Sequence, residues 1–141
     1  MKKLATIAIL AAGIAVSCGK KPEEPAAPQT SGPRVFFIEP ANGASVSSPV
    51  KVKMGVEGMT VEPAGKVNPN AGHFHILIDE APSPEGKIVP ADETHKHYGK
   101  GQTETELTLK PGKHKLVLQF ADGEHKSYGE KLVDTIEITV K

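Results

Sequence analysis

The chain has 141 residues, with 17 Lys and Arg against 17 Asp and Glu, six His and one Cys. This length allows one compact domain and a tail. Balanced charge argues against a nucleic-acid-binding protein, since such proteins need a basic face to neutralise phosphates. A single cysteine excludes an intramolecular disulfide framework. The 14 Gly and 12 Pro, with only 4% aromatic residues, indicate many turns and a thin core.

The N-terminal residues 1–17 have the features of a secretory signal peptide. Two lysines precede an apolar run at 4–16, and this run is shorter than the roughly 20 residues that a membrane-spanning helix needs. Small residues and then Cys18 follow, in a pattern that resembles a bacterial lipoprotein signal, although Ala15 stands where that pattern more often has Leu. We therefore expect lipidation of Cys18. The alternative is an ordinary signal peptide with an incidental cysteine.

The segment that follows the signal is predicted to be a tether. Residues 19–33 contain four prolines, few apolar side chains and mixed charge, a composition that does not bury enough surface to fold. The chain thus divides into a signal peptide at 1–17, a lipidated cysteine with its tether at 18–33, and a folded domain at 34–141. We expect a lipid-anchored, periplasm-facing protein of the bacterial cell envelope. Gly19, in place of the Asp that favours inner-membrane retention, favours the outer membrane.

The folded region shows the hydrophobic pattern of short strands. Six stretches are compactly apolar or alternate with a period of two, at 34–38, 50–56, 73–79, 103–109, 114–120 and 136–140. Turn-forming dipeptides such as Asp122-Gly123 lie between them, and no helical periodicity stands out beyond the signal. We predict an all-β fold, an immunoglobulin-like antiparallel β-sandwich of about seven strands, with a closed barrel as the alternative.

Two pairs of histidines have the spacing His-x-His in the folded region. Residues two apart on a strand project from one face, about 6.5 to 7 Å apart, and neutral imidazole is a ligand that suits Cu or Zn. In the first pair, His73 and His75, the alternation places Phe74 in the core and leaves both histidines on the opposite surface. The second pair, His95 and His97, falls in a segment predicted to be a polar loop.

Two further histidines complete the set. His125 follows the turn at 122–123, whereas His114 shares the apolar face of its strand and is interpreted as a packing residue. We take as candidate ligands of Cu or Zn the residues His73, His75, His97 and His125. The alternative is that the first pair are surface histidines that bond to Asp79, to the backbone or to each other.

Three blocks of sequence carry a resemblance to a known family. They lie at 37–65, 72–79 and 97–125, and read FIEPANGASVSSPVKVKMGVEGMTVEPAG, GHFHILID and HYGKGQTETELTLKPGKHKLVLQFADGEH. In this order they resemble a bacterial family known as domain of unknown function 4399. The resemblance implies a small exported domain, often lipid-anchored, without an established activity. The family's histidine pattern falls here on His73, His75, His97, His114 and His125.

One departure from the family pattern follows the last histidine. Where the family continues with a second histidine and prolines, this chain reads Lys126-Ser-Tyr-Gly129. If the missing histidine is a ligand in relatives, Tyr128 is the substitute that this change suggests.

The sequence contains no motif for nucleophilic catalysis, and we expect that the protein is not an enzyme. The favoured function is a lipid-anchored domain that binds Cu or Zn through its histidines. The alternative is a metal-independent structural or interaction module, and a metal-dependent oxidoreductase is the least favoured. The expected partners are the membrane, which the lipid binds, and an envelope protein or glycan. We expect no binding to nucleic acid.

Overall fold

The structure is a computed structural model that describes residues 32–141. The predictions for the signal peptide at 1–17, for Cys18 and for most of the tether at 18–33 therefore lie outside the described residues. Within the described range, no helix is long and apolar enough to cross a membrane.

Residues 34–140 form nine strands, and each of the six predicted stretches is confirmed as a strand. The strands are β1 (Arg34–Glu39), β2 (Ser45–Val46), β3 (Val50–Glu57), β4 (Thr60–Val61), β5 (Ala71–Ile78), β6 (His95–His97), β7 (Glu104–Leu107), β8 (Gly112–Ala121) and β9 (Val133–Val140). A single 3-10 turn at Glu130–Leu132 precedes β9 in this part of the chain. The strands that were not predicted, β2, β4 and β6, have two or three residues each.

The strands form two sheets. The smaller sheet has the order β1-β3-β7, and the larger has the order β2-β9-β8-β5-β4. Strand β5 is central to the larger sheet, because β8 pairs with one of its edges while β4 and β6 share the other. Most pairs are antiparallel; the short strands β2 and β4 pair in parallel with β9 and β5.

Both sheets contribute to one apolar core. The smaller sheet provides Val52, Met54 and Leu107, and the larger provides Phe74 and Phe120, whose rings meet edge to face with centroids 5.1 Å apart. Burial of such side chains supplies the main stabilising free energy of a domain of this size, roughly 1.5–3 kcal/mol for each large one. The all-β fold with two antiparallel sheets over a common core is confirmed, in a sandwich-like arrangement; its immunoglobulin-like character stays a prediction.

The larger sheet is also covered on its outer face, which is the face turned away from this core. All eight residues of β5 are buried, and Leu77 and Val117 form a second small cluster with Val89 from the segment after β5. That segment is tied down by Gln119, whose side-chain oxygen accepts from the Ser83 backbone N–H at 3.0 Å and whose amide donates to the Ser83 carbonyl at 2.7 Å.

Two sequence predictions are wrong, the first because this outer face is covered. His73 and His75 lie on the face opposite to the core, as expected, but both are fully buried and not on the surface. The segment around His95 and His97 was expected to be a loop. It forms β6 instead, because its backbone pairs with an edge of β5.

Candidate metal centre

The four candidate histidines come from separate segments that the sheet brings together. His73 and His75 are on β5, and the register of β6 places His97 directly opposite His75. On the other side of β5, His73 pairs with Ala121, the last residue of β8. The chain folds back immediately after this point, since Ala121 forms a bridge with Ser127. The turn that carries His125 is therefore held next to His73.

The turn at 122–126 has a conformation that its side chains stabilise. Asp122 is its organising residue, because its Oδ1 accepts from the backbone N–H of Glu124 at 2.8 Å and of Lys126 at 2.9 Å. His125 adopts a φ of 67°, a region that residues with a side chain seldom occupy. Its carbonyl accepts from the N–H of Val89 at 2.8 Å. These contacts fix the backbone from which the His125 ring projects.

The four rings form a compact cluster. Nε2 of His73 lies 3.1 Å from Nε2 of His75, and Nε2 of His97 lies 3.1 Å from Nε2 of His125. The six distances between ring centroids run only from 4.8 to 5.9 Å, and the longest joins His75 and His125. His73, His97 and His125 each offer one ligand nitrogen, and these three atoms lie within 4.8 Å of one another. His75 is outside this group of three and adjoins it through the contact of its Nε2 with His73.

These distances suit a bound transition-metal ion. Two nitrogens 3.1 Å apart, each about 2.05 Å from a common ion, subtend about 98° at that ion, between the right angle of a square and the angle of a tetrahedron. Rings in a square would have diagonal separations about 1.4 times the adjacent ones. The near-equal centroid distances instead describe a three-dimensional arrangement.

Burial keeps the inner histidines in the neutral form that binds metal. Burial, with a smaller contribution from the charges of neighbouring histidines, lowers the pKa of His73 to about 4 and that of His75 to about 3. The pKa of His97 is lowered as well, by burial first and by His125 second. At neutral pH these imidazoles carry a free lone pair, so a metal ion does not have to displace a proton from them.

The two buried histidines, His73 and His75, form few hydrogen bonds with the described part of the protein. Among the described residues, the ring of His73 has a hydrogen-bond partner only in the ring of His75, and the Nδ1 atoms of both are buried without a partner. A buried unsatisfied polar group costs about 1–3 kcal/mol, and buried polar groups in native proteins are nearly always bonded. The two unpartnered Nδ1 atoms are therefore costly for the stability of the fold.

Gly99 positions the ring of His97, a role that the sequence analysis missed. Residues 99–101 form a turn, and a Cβ at Gly99 would overlap the imidazole of His97. Only glycine leaves the space in which this ring lies. A glycine two residues after a candidate ligand was the available signal, but the sequence does not show which ring it contacts.

Three other residues lie outside the cluster. His114, expected to pack in the core, is half-buried at the end of its strand, where Nδ1 lies 2.8 Å from Oδ2 of Asp79 and Nε2 lies 2.9 Å from the Lys110 carbonyl. His95 instead contacts Asp92, with Nδ1 2.9 Å from its Oδ1. Tyr128 is not a substitute ligand, because its hydroxyl donates to the carbonyl of Ala71 and its ring packs against the main core.

The fold and the cluster together define a small all-β domain with a histidine site able to hold a metal ion. A family model described as "Domain of unknown function (DUF4399)" matches residues 52–141, so the chain belongs to this family. The matched region begins inside β3 and contains all four clustered histidines. Comparison with curated proteins and with solved structures found no match.

Proposed function

We propose that this domain binds one Zn(II) or Cu(II) ion through its histidine cluster, and that it does so as a non-enzymatic protein of the cell envelope. The convergence of four imidazoles carries the proposal: two Nε2 pairs, each 3.1 Å apart, meet at one end of β5. The ligands are His73, His75, His97 and His125.

The donor set determines which metals are suitable. The cluster offers imidazole nitrogen only, which is suited to Zn, Cu and Ni, whereas Mg and Ca require oxygen ligands. The three-dimensional arrangement of the rings favours Zn(II), which is tetrahedral in sites of this kind, over Cu(II), which prefers a square. Cu(II) nevertheless binds nitrogen ligands more tightly than Zn(II) does. Affinity alone therefore does not identify the metal, and the geometry of the complex has to be measured.

Isothermal titration of residues 19–141 with Zn(II) and with Cu(II) tests the proposal. This chain contains every core residue of the described domain and leaves out Cys18, so it can be purified without a lipid. We expect one site with micromolar or tighter affinity, and loss of about a thousandfold in the His73→Ala/His75→Ala double variant.

His114→Ala is the matched control, since it removes a histidine that lies outside the cluster, and it should bind as the parent chain does. Affinity weaker than about millimolar, or binding unchanged in the double variant, would refute metal binding. The protein would then be a metal-independent interaction module.

The envelope location is proposed from residues that precede the described domain. A lipidated Cys18 would hold the domain at a membrane, where two or more acyl chains give lasting attachment. Expression of the full chain, followed by detergent phase partition, tests this. The parent protein should enter the detergent phase and Cys18→Ser should remain in the aqueous phase; equal partition of the two would contradict lipid anchoring.

A further inference from the structure

The histidine cluster has a buried side and an accessible side. The rings of His73 and His75 are fully buried, with 0% of each residue exposed. In contrast His97 is exposed and His125 is partly exposed. An ion held between the two pairs would thus be sealed from solvent on one side and reachable from solvent on the other.

The two sides also differ in how their backbones are held. The buried pair lies on β5, which has hydrogen-bonded neighbours along both edges. The accessible pair lies on a three-residue edge strand and in a hairpin turn. Short edge segments open at a lower free energy than a central strand does. Opening of the short strand β6 would therefore remove His97 from the ion first, and the partly exposed ring of His125 can turn away on its fixed backbone while the buried pair still holds the ion.

The charge of the site favours an incoming donor from solvent. All four ligands are neutral imidazoles, so the ligands do not cancel the charge of the ion. The nearest acidic side chain on the turn, Asp122, has its Oδ1 occupied by two backbone N–H groups. A carboxylate, imidazole or thiolate of another molecule could approach the ion on this side and form a coordinate bond.

From this asymmetry we propose that the domain is a metal-transfer module, which takes up and releases its ion through the side formed by His97 and His125. The proposal rests on the metal-binding function and adds a role for the bound ion, which is transfer to another molecule. The partner is an acceptor that brings its own nitrogen, oxygen or sulfur donors.

Transfer proceeds by replacement of one ligand at a time. A donor atom of the acceptor forms a bond to the ion as the bond to His97 breaks, and His125 and then the buried pair follow in the same way. The released imidazoles remain neutral, the ion keeps its oxidation state, and no further reactant is required. A site closed on all sides would instead have to lose its ion before an acceptor could bind it.

Stopped-flow release of Zn(II) to the chromophoric chelator pyridylazoresorcinol distinguishes these two routes in the parent protein. We expect the observed rate to rise in proportion to chelator concentration, because the chelator attacks the bound ion. A rate that does not change with chelator concentration would overturn the proposal while leaving the metal-binding function intact. If the titration of the previous section detects no saturable site, the metal-binding function itself fails.

Imidazole rescue of two matched variants provides an independent test. His97→Ala vacates a position that faces solvent, whereas His75→Ala vacates one that is fully buried. With Co(II) as a spectroscopic probe, added imidazole should restore the four-nitrogen visible spectrum in His97→Ala only. The second-order rate of release to the chelator should also be at least about tenfold higher in His97→Ala than in His75→Ala. Equal rescue of both variants, or of neither, would overturn the proposal.

Discussion

The cluster and His114 show how two regions of one domain give the same side chain opposite properties. Burial lowers the pKa of His73 to about 4, against a smaller opposing effect of the Asp122 carboxylate. At the far end of β5, the carboxylate of Asp79 raises the pKa of His114, chiefly through their hydrogen bond. The two acceptors that His114 contacts, a carboxylate and a carbonyl, require both of its nitrogens to donate. One environment thus favours a neutral imidazole, and the other favours a protonated imidazole.

The largest expected effect that separates the two regions is stabilisation by metal. Zn(II) at about one thousand times its dissociation constant should add about 4.1 kcal/mol to the free energy of unfolding, which raises Tm by roughly 15 °C or more. Differential scanning calorimetry should show this shift in the parent chain and in His114→Ala, and not in His73→Ala/His75→Ala. A shift that survives in the double variant would mean that the ion binds elsewhere.

The second prediction concerns acid stability of the metal-free domain. The pKa of His73 is about 4 and that of His75 about 3 in the fold, whereas an unfolded histidine titrates near about 6.5. Below that pH the unfolded chain binds more protons, so the free energy of unfolding should fall as the pH is lowered from about 6.5 to about 5, by on the order of 3 kcal/mol.

Urea unfolding across this range measures the effect, and the apolar variant His73→Phe/His75→Leu isolates it from the titration of carboxylates. That variant should lose much less stability over the same pH range. Equal losses in the two proteins would show that the buried histidines do not titrate on unfolding as proposed.

A smaller effect is expected when the cluster is disturbed without removing a ligand. Gly99→Ala introduces a methyl group where the ring of His97 lies, and displaced supporting contacts of this kind typically cost about 10- to 100-fold in metal affinity. We expect about a tenfold loss in the Zn(II) titration. Gly32→Ala is the control, because a Cβ there meets no atom within 4 Å. Unchanged affinity in Gly99→Ala would show that Gly99 does not position the ring of His97.

The smallest effect is expected at His114. Its raised pKa contributes stability that is present below about pH 6.5 and is lost as the pH rises through the folded-state value. Because Asp79 is half exposed, this contribution should stay below about 1 kcal/mol. Asp79→Asn should lower the pKa of His114 in an NMR titration, while Asp92→Asn, which alters the partner of His95, should not. If the pKa of His114 were unchanged in Asp79→Asn, Asp79 would not be the cause of its raised pKa, and the contrast between His114 and the cluster would not hold.

The strands could be predicted wherever they are long enough to show a period. Strands β3 and β9 have eight residues each and alternate clearly. Strands of two or three residues, such as β4 and β6, are too short for a period of two to be recognised, and they form only because a backbone edge of β5 is available to them.

The burial of the cluster could not be predicted, because it depends on the segment after β5. Its contacts run through single residues such as Ser83, which bonds to Gln119, and Val89, which packs on Leu77. A segment of this kind has no repeating pattern that would reveal which sheet face it covers. The spacing of the histidines nevertheless indicated which segments contribute to the cluster.

The sequence by itself determined the strands, the turns and the supply of histidines, because alternation and turn dipeptides act over a few neighbouring residues. Only the tertiary structure decided which histidines meet. Strand register selects His97, which lies opposite His75, over His95, which lies opposite Leu77. The fold-back after β8 brings in His125 from a distant part of the chain. These choices depend on backbone pairing between remote segments, and residue spacing along the chain carries no information about such pairing.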